Sequence, residues 1–325
     1  MLGTWQMRAY RLTGFDTAPA VQEIDTPTPA EGEALVRIAA CGLNFADLLM
    51  MEGRYQDTPE PPFTMGMEIA GTVEALGPDT DGPAPGTRVA VFAGQGGLAE
   101  AGVFPVDRIT PIPDAMPLTE AAGFLVAYGT SHLALVHRAR LQPGERLLVL
   151  GAAGGVGLTA VEIGARMGAE VIACARGAAK LQVAQAAGAG HLIDSETQDI
   201  RGEVKALGGA DVVYDAVGGD AFKAAMRATN PGGRLIPIGF ASGEVPQIPA
   251  NILLVKNLDV IGLYWGGYLT FAPQILTGSL SELFSIYEAG GLKPHVGATY
   301  PLDRVAEALD LLKSRRSTGK VVVTM

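Results

Sequence analysis

The sequence predicts an α/β fold in which a doubly wound parallel sheet is combined with a second, β-rich domain. Three features carry this. Apolar strand-like runs alternate with helical stretches through the middle of the chain. The first third alternates β-like runs with Pro- and Gly-rich breaks, and the tail returns to that second texture. At 325 residues the chain is long enough for two domains, each with its own core.

In order along the chain, EALVRIAACGL (33–43), AGTVEALG (70–77) and TRVAVF (87–92) read as strands, broken by TPTPAEG, DTPEPPF and PDTDGPAPG. From Leu118, LTEAAGFLVAYGTSHLALVHRA reads as helix, opened by Thr119 with Glu120 in its first turn. Strands are then expected at 146–150, 170–175, 191–194, 211–217, 234–240 and 258–264, mostly apolar and separated by helices, which implies a parallel sheet covered on both faces. The tail gives a helix near SELFSIYEAG, a strand at VGATY, a helix in PLDRVAEALDLLKSRR and a last strand at KVVVT. The expected division is 1–122 and 263–325 for the β-rich domain, with 123–262 inserted as the nucleotide-binding domain.

Composition narrows the function. With 48% hydrophobic and 18% charged residues the chain is globular, and a net charge of −10 without a basic stripe argues against nucleic acid as partner. The longest uncharged run, 260–281, is interrupted by four glycines and a proline and is read as strand plus loop rather than membrane helix. Cys41 and Cys174 are far apart, and no signal peptide is evident, so a cytoplasmic protein with reduced thiols is expected.

The most informative segment is LLVLGAAGGVGLTAVEIGARMGA. An apolar strand runs into Gly151, Ala152, Gly154, Gly155, Val156 and Gly157 and then into a helix. Such a loop lets a pyrophosphate approach backbone amides at a helix N-terminus. The competing reading, glycines needed only for close helix–strand packing, is disfavoured by the complete strand–loop–helix context. The next strand ends CARGAAK. It offers Arg176 and Lys180 where NAD-binding chains place a carboxylate for the ribose 2′-hydroxyl, so NADPH is expected.

Four histidines and two cysteines give no zinc-like spacing, and His132 and His137, five apart, do not share a helix face. No metal is therefore expected. Nucleophile elbows and phosphate-binding P-loops are also missing, which leaves hydride chemistry.

These segments together resemble the zinc-free quinone oxidoreductases (zeta-crystallin-like) of the medium-chain dehydrogenase/reductase superfamily. The likeness runs from MRAYRLTGF through GLNFADLLMMEGRY, PFTMGMEIAGTV and the glycine loop to STGKVVV. In zinc-dependent relatives the Asn44 position is a cysteine ligand and Met67 a histidine ligand, while Glu68 is common to both branches. The resemblance implies a GroES-like partial barrel, a Rossmann domain, an active cleft at their junction, and a homodimer paired through the strand near 258–264.

Carried over, Asn44 lies near the nicotinamide and Thr130 near the cofactor's phosphates or amide. Val156 and its glycines meet the pyrophosphate, Val217 and Phe240 line the nicotinamide side, and Arg315 or Arg316 reaches the cofactor from the tail. At Leu49 and Ser195 some relatives carry tyrosines, the first facing substrate and the second packing on adenosine. Asn44 and Tyr55 are the expected donors toward a developing oxyanion, with Tyr264 and Trp265 as aromatic walls. Asp47 is expected to hydrogen-bond the helix begun after Asn44. The implied activity is NADPH-dependent reduction of a quinone. An enone, 2-alkenal or enoyl-CoA double bond is the alternative acceptor, and a non-catalytic NADPH-binding structural protein is the alternative of another class.

Overall fold

The structure, a computed structural model, describes residues 5–325. The chain divides into two units, residues 1–126 with 294–325, and residues 127–293.

The first unit is organised by the strand Glu33–Leu43. It pairs antiparallel with Glu68–Leu76, with Ala101–Pro105 and with the tail strand Lys320–Thr324. Two register irregularities, at Leu35/Val36 and Ile38/Ala40, bend it. Among the described residues these strands belong to a seven-stranded sheet, and a three-stranded sheet joins Ala20–Asp25, Gln6–Leu12 and Phe63–Thr64. The core contains Leu12, Met65, Met67, Ile69, Val321 and Val323, closed by Val305 and Leu309 of the tail helix Val305–Lys313. Burying each such side chain contributes about 1.5–3 kcal/mol, which is what holds the tail on the front half of the chain.

The second unit carries a parallel sheet in the order His191–Asp194, Glu170–Ala175, Arg146–Leu150, Ala210–Asp215, Thr229–Pro237, Asp259–Val260. The order reverses at Arg146–Leu150, the topological switch point at whose carboxyl end such sheets bind ligands. The doubly wound and β-rich pairing expected from sequence is the fold observed.

Three expectations shift. The strand expected at 258–264 is only Asp259–Val260, with Ile261 N–H adding one bond to Leu235 C=O (2.8 Å) before the chain turns through its glycines. The helix expected from 118 is broken into Leu118–Ala121, Leu125–His132 and a π-helical Leu133–Arg138. The boundaries fall after 126 and 293, not after 122 and 262. The second moves because 263–293 packs within the parallel-sheet unit: the Trp265 ring lies against Gly129, His137 and Tyr268 meet edge to face at 6.0 Å, and His132 Nδ1 is 2.8 Å from Ser279 Oγ.

Candidate active site

In the parallel-sheet unit, strand Arg146–Leu150 runs into Gly151, whose φ of +73° suits a residue without Cβ. Helix Gly155–Arg166 follows, capped by Gly154, which brings no side chain to its first amides. Leu158 N–H bonds Gly154 C=O at 2.9 Å. The amides of Gly155, Val156 and Gly157 thus precede the ladder and are presented at the helix N-terminus. A Cβ at Gly157 would stand 2.1 Å from the Gly151 carbonyl oxygen, so only glycine lets the helix lie this close to the strand. A Cβ at Gly154 would meet only that same oxygen, at 3.4 Å.

Val217 and Phe240 stand at the same end of the sheet. Val217 Cγ2 comes within 3.1 Å of a Cβ built at Gly151, and the Phe240 ring within 3.2 Å of one built at Gly218. The turn that carries Val217 is tied by the Asp215 carboxylate, which accepts from Val217 N–H (2.8 Å) and Gly218 N–H (3.0 Å). Burial pushes Asp215 up, and these two amides oppose it.

Strand Glu170–Ala175 ends at exposed Arg176, with half-buried Lys180 in the first turn of helix Ala178–Ala186. Ser195 joins this corner through its N–H to Ala175 C=O, 3.0 Å. Asp194, ending the neighbouring strand, accepts from the amides of Gly177 and Glu196, both at 3.0 Å, and is held below the usual carboxylate range chiefly by them. Its Oδ1 therefore faces the turn backbone. Amides at the helix end together with a cationic corner fit a dinucleotide carrying a 2′-phosphate.

Sequence reasoning missed a hydroxyl cluster beneath the loop. Ser131 Oγ donates to Val156 C=O (2.9 Å) and lies 2.8 Å from Thr159 Oγ1 and 2.9 Å from the Tyr214 hydroxyl. It fixes the loop's carbonyl side, beside buried Thr130 on the helix Leu125–His132. The sequence signal was the SH pair after Thr130 in GTSH, polar residues inside an otherwise apolar helix. Trp265, expected as an aromatic wall, is packed on Gly129 inside this unit, whereas Tyr264 is exposed.

In the β-rich unit, register brings a second polar cluster together. Gly42 is opposite Glu68 on one side and Val322 on the other, so Asn44, Glu68 and Lys320 converge where Glu33–Leu43 ends. Lys320 Nζ donates to Asn44 Oδ1 (2.8 Å) and to Glu68 Oε2 (3.0 Å). Asn44 Nδ2 donates to Glu68 Oε2 (3.1 Å) and to Gly42 C=O (3.2 Å). Glu68 Oε1 accepts from Val126 N–H at 2.9 Å. Lysine can only donate and a carboxylate only accept, so these partners fix the orientation of the Asn44 amide. Both its hydrogens are committed within the chain, which leaves an oxygen lone pair rather than a donor for a ligand.

Asp47 does what an acidic residue in a first helical turn is expected to do, accepting Asn44 N–H at 2.7 Å. Half-buried Tyr55 packs on the unit's core, and its hydroxyl is pushed up to about 12 by burial, reinforced by Asp57 and Asp47. Arg315 is exposed in a left-handed conformation (φ +54°) just past helix Val305–Lys313, and Arg316 Nε donates to Ser314 Oγ at 3.0 Å. Among the described residues no group of three or more His, Cys, Asp or Glu is placed to hold a metal ion.

A β-rich unit joined to a doubly wound sheet with this glycine loop is the architecture of the medium-chain dehydrogenase/reductases. Residues 30–114 match the alcohol dehydrogenase GroES-like domain and 155–279 match the family described as zinc-binding dehydrogenase. Quinone oxidoreductase-like protein 2 homolog of Nematostella vectensis is 44% identical, covering 94% of this chain and 86% of that protein. Quinone oxidoreductase-like protein 2 of Bos taurus is 38% identical, with 94% and 89% covered. Among solved structures, the quinone oxidoreductase of Thermus thermophilus, determined also in complex with NADPH, superposes with a TM-score of 0.87 at 34% identity, covering 98% of this chain and 100% of that one. The chain belongs to the quinone oxidoreductase-like family of medium-chain dehydrogenase/reductases.

Proposed function

We propose that the protein is an NADPH-dependent reductase that transfers hydride to a quinone. The observation that carries this is the glycine loop at the switch point, with the amides of residues 155–157 at a helix N-terminus and Arg176 and Lys180 ending the adjacent strand. NADPH supplies the hydride. The chain's own residues bind and orient it: the loop amides hold pyrophosphate, Arg176 and Lys180 the 2′-phosphate, Ser195 the adenosine side, and Val217 and Phe240 the nicotinamide side. Thr130, Asn44 and Arg315 are further contacts to the cofactor in this reading, and Tyr55 faces the acceptor. The relatives named as quinone oxidoreductases support the choice of acceptor.

We further propose that the enzyme works without a metal ion and as a homodimer in the cytoplasm. Amide and thioether stand at Asn44 and Met67, and the Lys320 ammonium already lies against Glu68, placing a positive charge there. Both cysteines are free and buried, which suits a reducing compartment. Among the described residues no helix is long and apolar enough to cross a membrane.

The test is NADPH oxidation against 1,4-benzoquinone, 9,10-phenanthrenequinone, a short 2-alkenal and acryloyl-CoA, with NADH in parallel. Quinone turnover preferring NADPH is expected. Turnover of the thioester alone would make the protein an enoyl reductase, and tight NADPH binding without any turnover would make it a binding protein. Chelator treatment is expected to leave the rate unchanged.

A further inference from the structure

The hydrogen bonds around Asn44 leave the β-rich unit's polar cluster with one donor to spare, and it does not belong to Asn44. The Lys320 ammonium has three hydrogens and two acceptors, Asn44 Oδ1 and Glu68 Oε2. Among the described residues no third acceptor is within reach of it.

The lysine sits in a built slot. A Cβ at Gly123 would lie 2.9–3.1 Å from its Cγ, Cε and Cβ, so the stem crosses where the helical stretch is interrupted by a residue without a side chain. The side chain is 9% exposed and Glu68 is fully buried. Glu68 takes hydrogen bonds on both oxygens, from Val126 N–H, Asn44 Nδ2 and Lys320 Nζ. The carboxylate thus balances the ammonium without occupying its last hydrogen. Removing either partner of such a pair leaves an uncompensated charge, so the two side chains hold each other in place.

We propose that Lys320 is a catalytic residue of the reductase, whose ammonium donates its third hydrogen to the carbonyl oxygen of the acceptor and stabilises the negative charge that forms there. This rests on the reductase reading above. Hydride, two electrons supplied by NADPH and leaving NADP⁺, bonds the far carbonyl oxygen of a quinone or the β-carbon of an enone; the conjugated π electrons move onto the carbonyl oxygen beside Lys320, which becomes a phenolate or an enolate. The anion then takes a proton from water, and Lys320 retains its own. A preorganised cation in a water-poor site stabilises such charge far more than it would in bulk water. Asn44, with both hydrogens committed, acts toward Lys320 as a positioning residue.

The probe is 4-nitrophenol, a coloured mimic of the phenolate product, titrated by absorbance across neutral pH on the protein loaded with NADP⁺. The ionisable neighbours are Glu68, Asp47 and Cys41. Wild type is expected to bind the phenolate in preference to the phenol, lowering the apparent ionisation midpoint of the bound probe. Lys320→Met is expected to abolish that preference and to lower kcat about 100-fold with KM nearly unchanged, the usual loss on removing one oxyanion donor.

Because Lys320→Met strands Glu68, the Lys320→Met/Glu68→Gln double variant is measured beside it. It is expected to recover folding stability but neither phenolate preference nor kcat, whereas Lys320→Arg should recover part of both. A wild type that does not favour the phenolate, or a stable double variant that still favours it, would overturn the assignment. Phenolate preference dependent on Lys320 in a protein that turns over no acceptor would instead overturn the reductase reading while leaving the oxyanion site standing.

Discussion

Asp47 lies wholly inside the β-rich unit with its carboxyl pushed up to about 6 from 3.8, because burial outweighs the opposing pull of the Asn44 amide and Lys320. Between those two values the folded state binds more protons than the unfolded chain, so this group lowers stability as pH rises from 3.8 to about 6 and has no further effect above. A displacement of that size corresponds to ~3 kcal/mol. Asp47→Asn, whose side-chain oxygen still accepts the Asn44 amide, should therefore gain on wild type by ~1–3 kcal/mol between pH 4 and pH 7. Urea unfolding at the two pH values checks this, and an unchanged gap would mean the carboxyl titrates normally. If Arg176 holds the 2′-phosphate as proposed, Arg176→Asp replaces that donor by a charge that repels phosphate. Charge-assisted bonds contribute ~1.5–3 kcal/mol, so NADPH affinity should fall about 10- to 100-fold while NADH affinity holds or rises. Equal effects on the two cofactors, measured by fluorescence titration, would place the 2′-phosphate elsewhere.

At the scale of elements, the glycine loop works because helix Gly155–Arg166 lies against the turn that precedes it. Gly157→Ala would set a methyl 2.1 Å from the Gly151 carbonyl oxygen, and neither backbone segment can yield without moving the helix. Overpacking of this kind costs ~1–3 kcal/mol, and the displaced amides should weaken NADPH binding at least about tenfold. Thermal unfolding with and without cofactor separates the two effects, since a purely structural defect would leave the ligand-induced rise in Tm intact. This loop was legible in the sequence because strand, turn and helix are neighbours along the chain, each with its own signal. The Lys320 cluster was not. It depends on the register of Lys320–Thr324 against Glu33–Leu43, set across 276 residues by which valines fit the core, and a lysine opening an apolar strand reads as a solvated end. The partners of the Asn44 amide were hidden for the same reason, since its hydrogens go to Gly42 and Glu68 by pairing that residue type alone does not reveal. The boundary expected at 262 likewise depended on where Trp265 and Tyr268 would pack, and the strand expected to continue to 264 gave way to glycines that favour a turn.

For the whole molecule, the edge of the parallel sheet is the feature that a single chain leaves unfinished. Asp259–Val260 pairs with Thr229–Pro237, and among the described residues no strand covers its other side. Beside it, helix Ala250–Lys256 exposes Leu254 (76%) and Val255 (71%). An open strand edge flanked by exposed apolar side chains invites pairing with another chain, and the symmetric solution is a second copy meeting the same patch. Light scattering should therefore give twice the chain mass, and Leu254→Glu combined with Val255→Lys should shift the protein toward monomer by about two orders of magnitude in dissociation constant, ~3 kcal/mol for desolvating two charges against an apolar partner. The glycine loop and the Arg176 corner are built within one chain, so the monomer should still bind NADPH. If the variant remained dimeric, the contact would have to lie on another face. If it became monomeric and lost NADPH, the dimer would be needed to hold the nucleotide-binding unit in its working form.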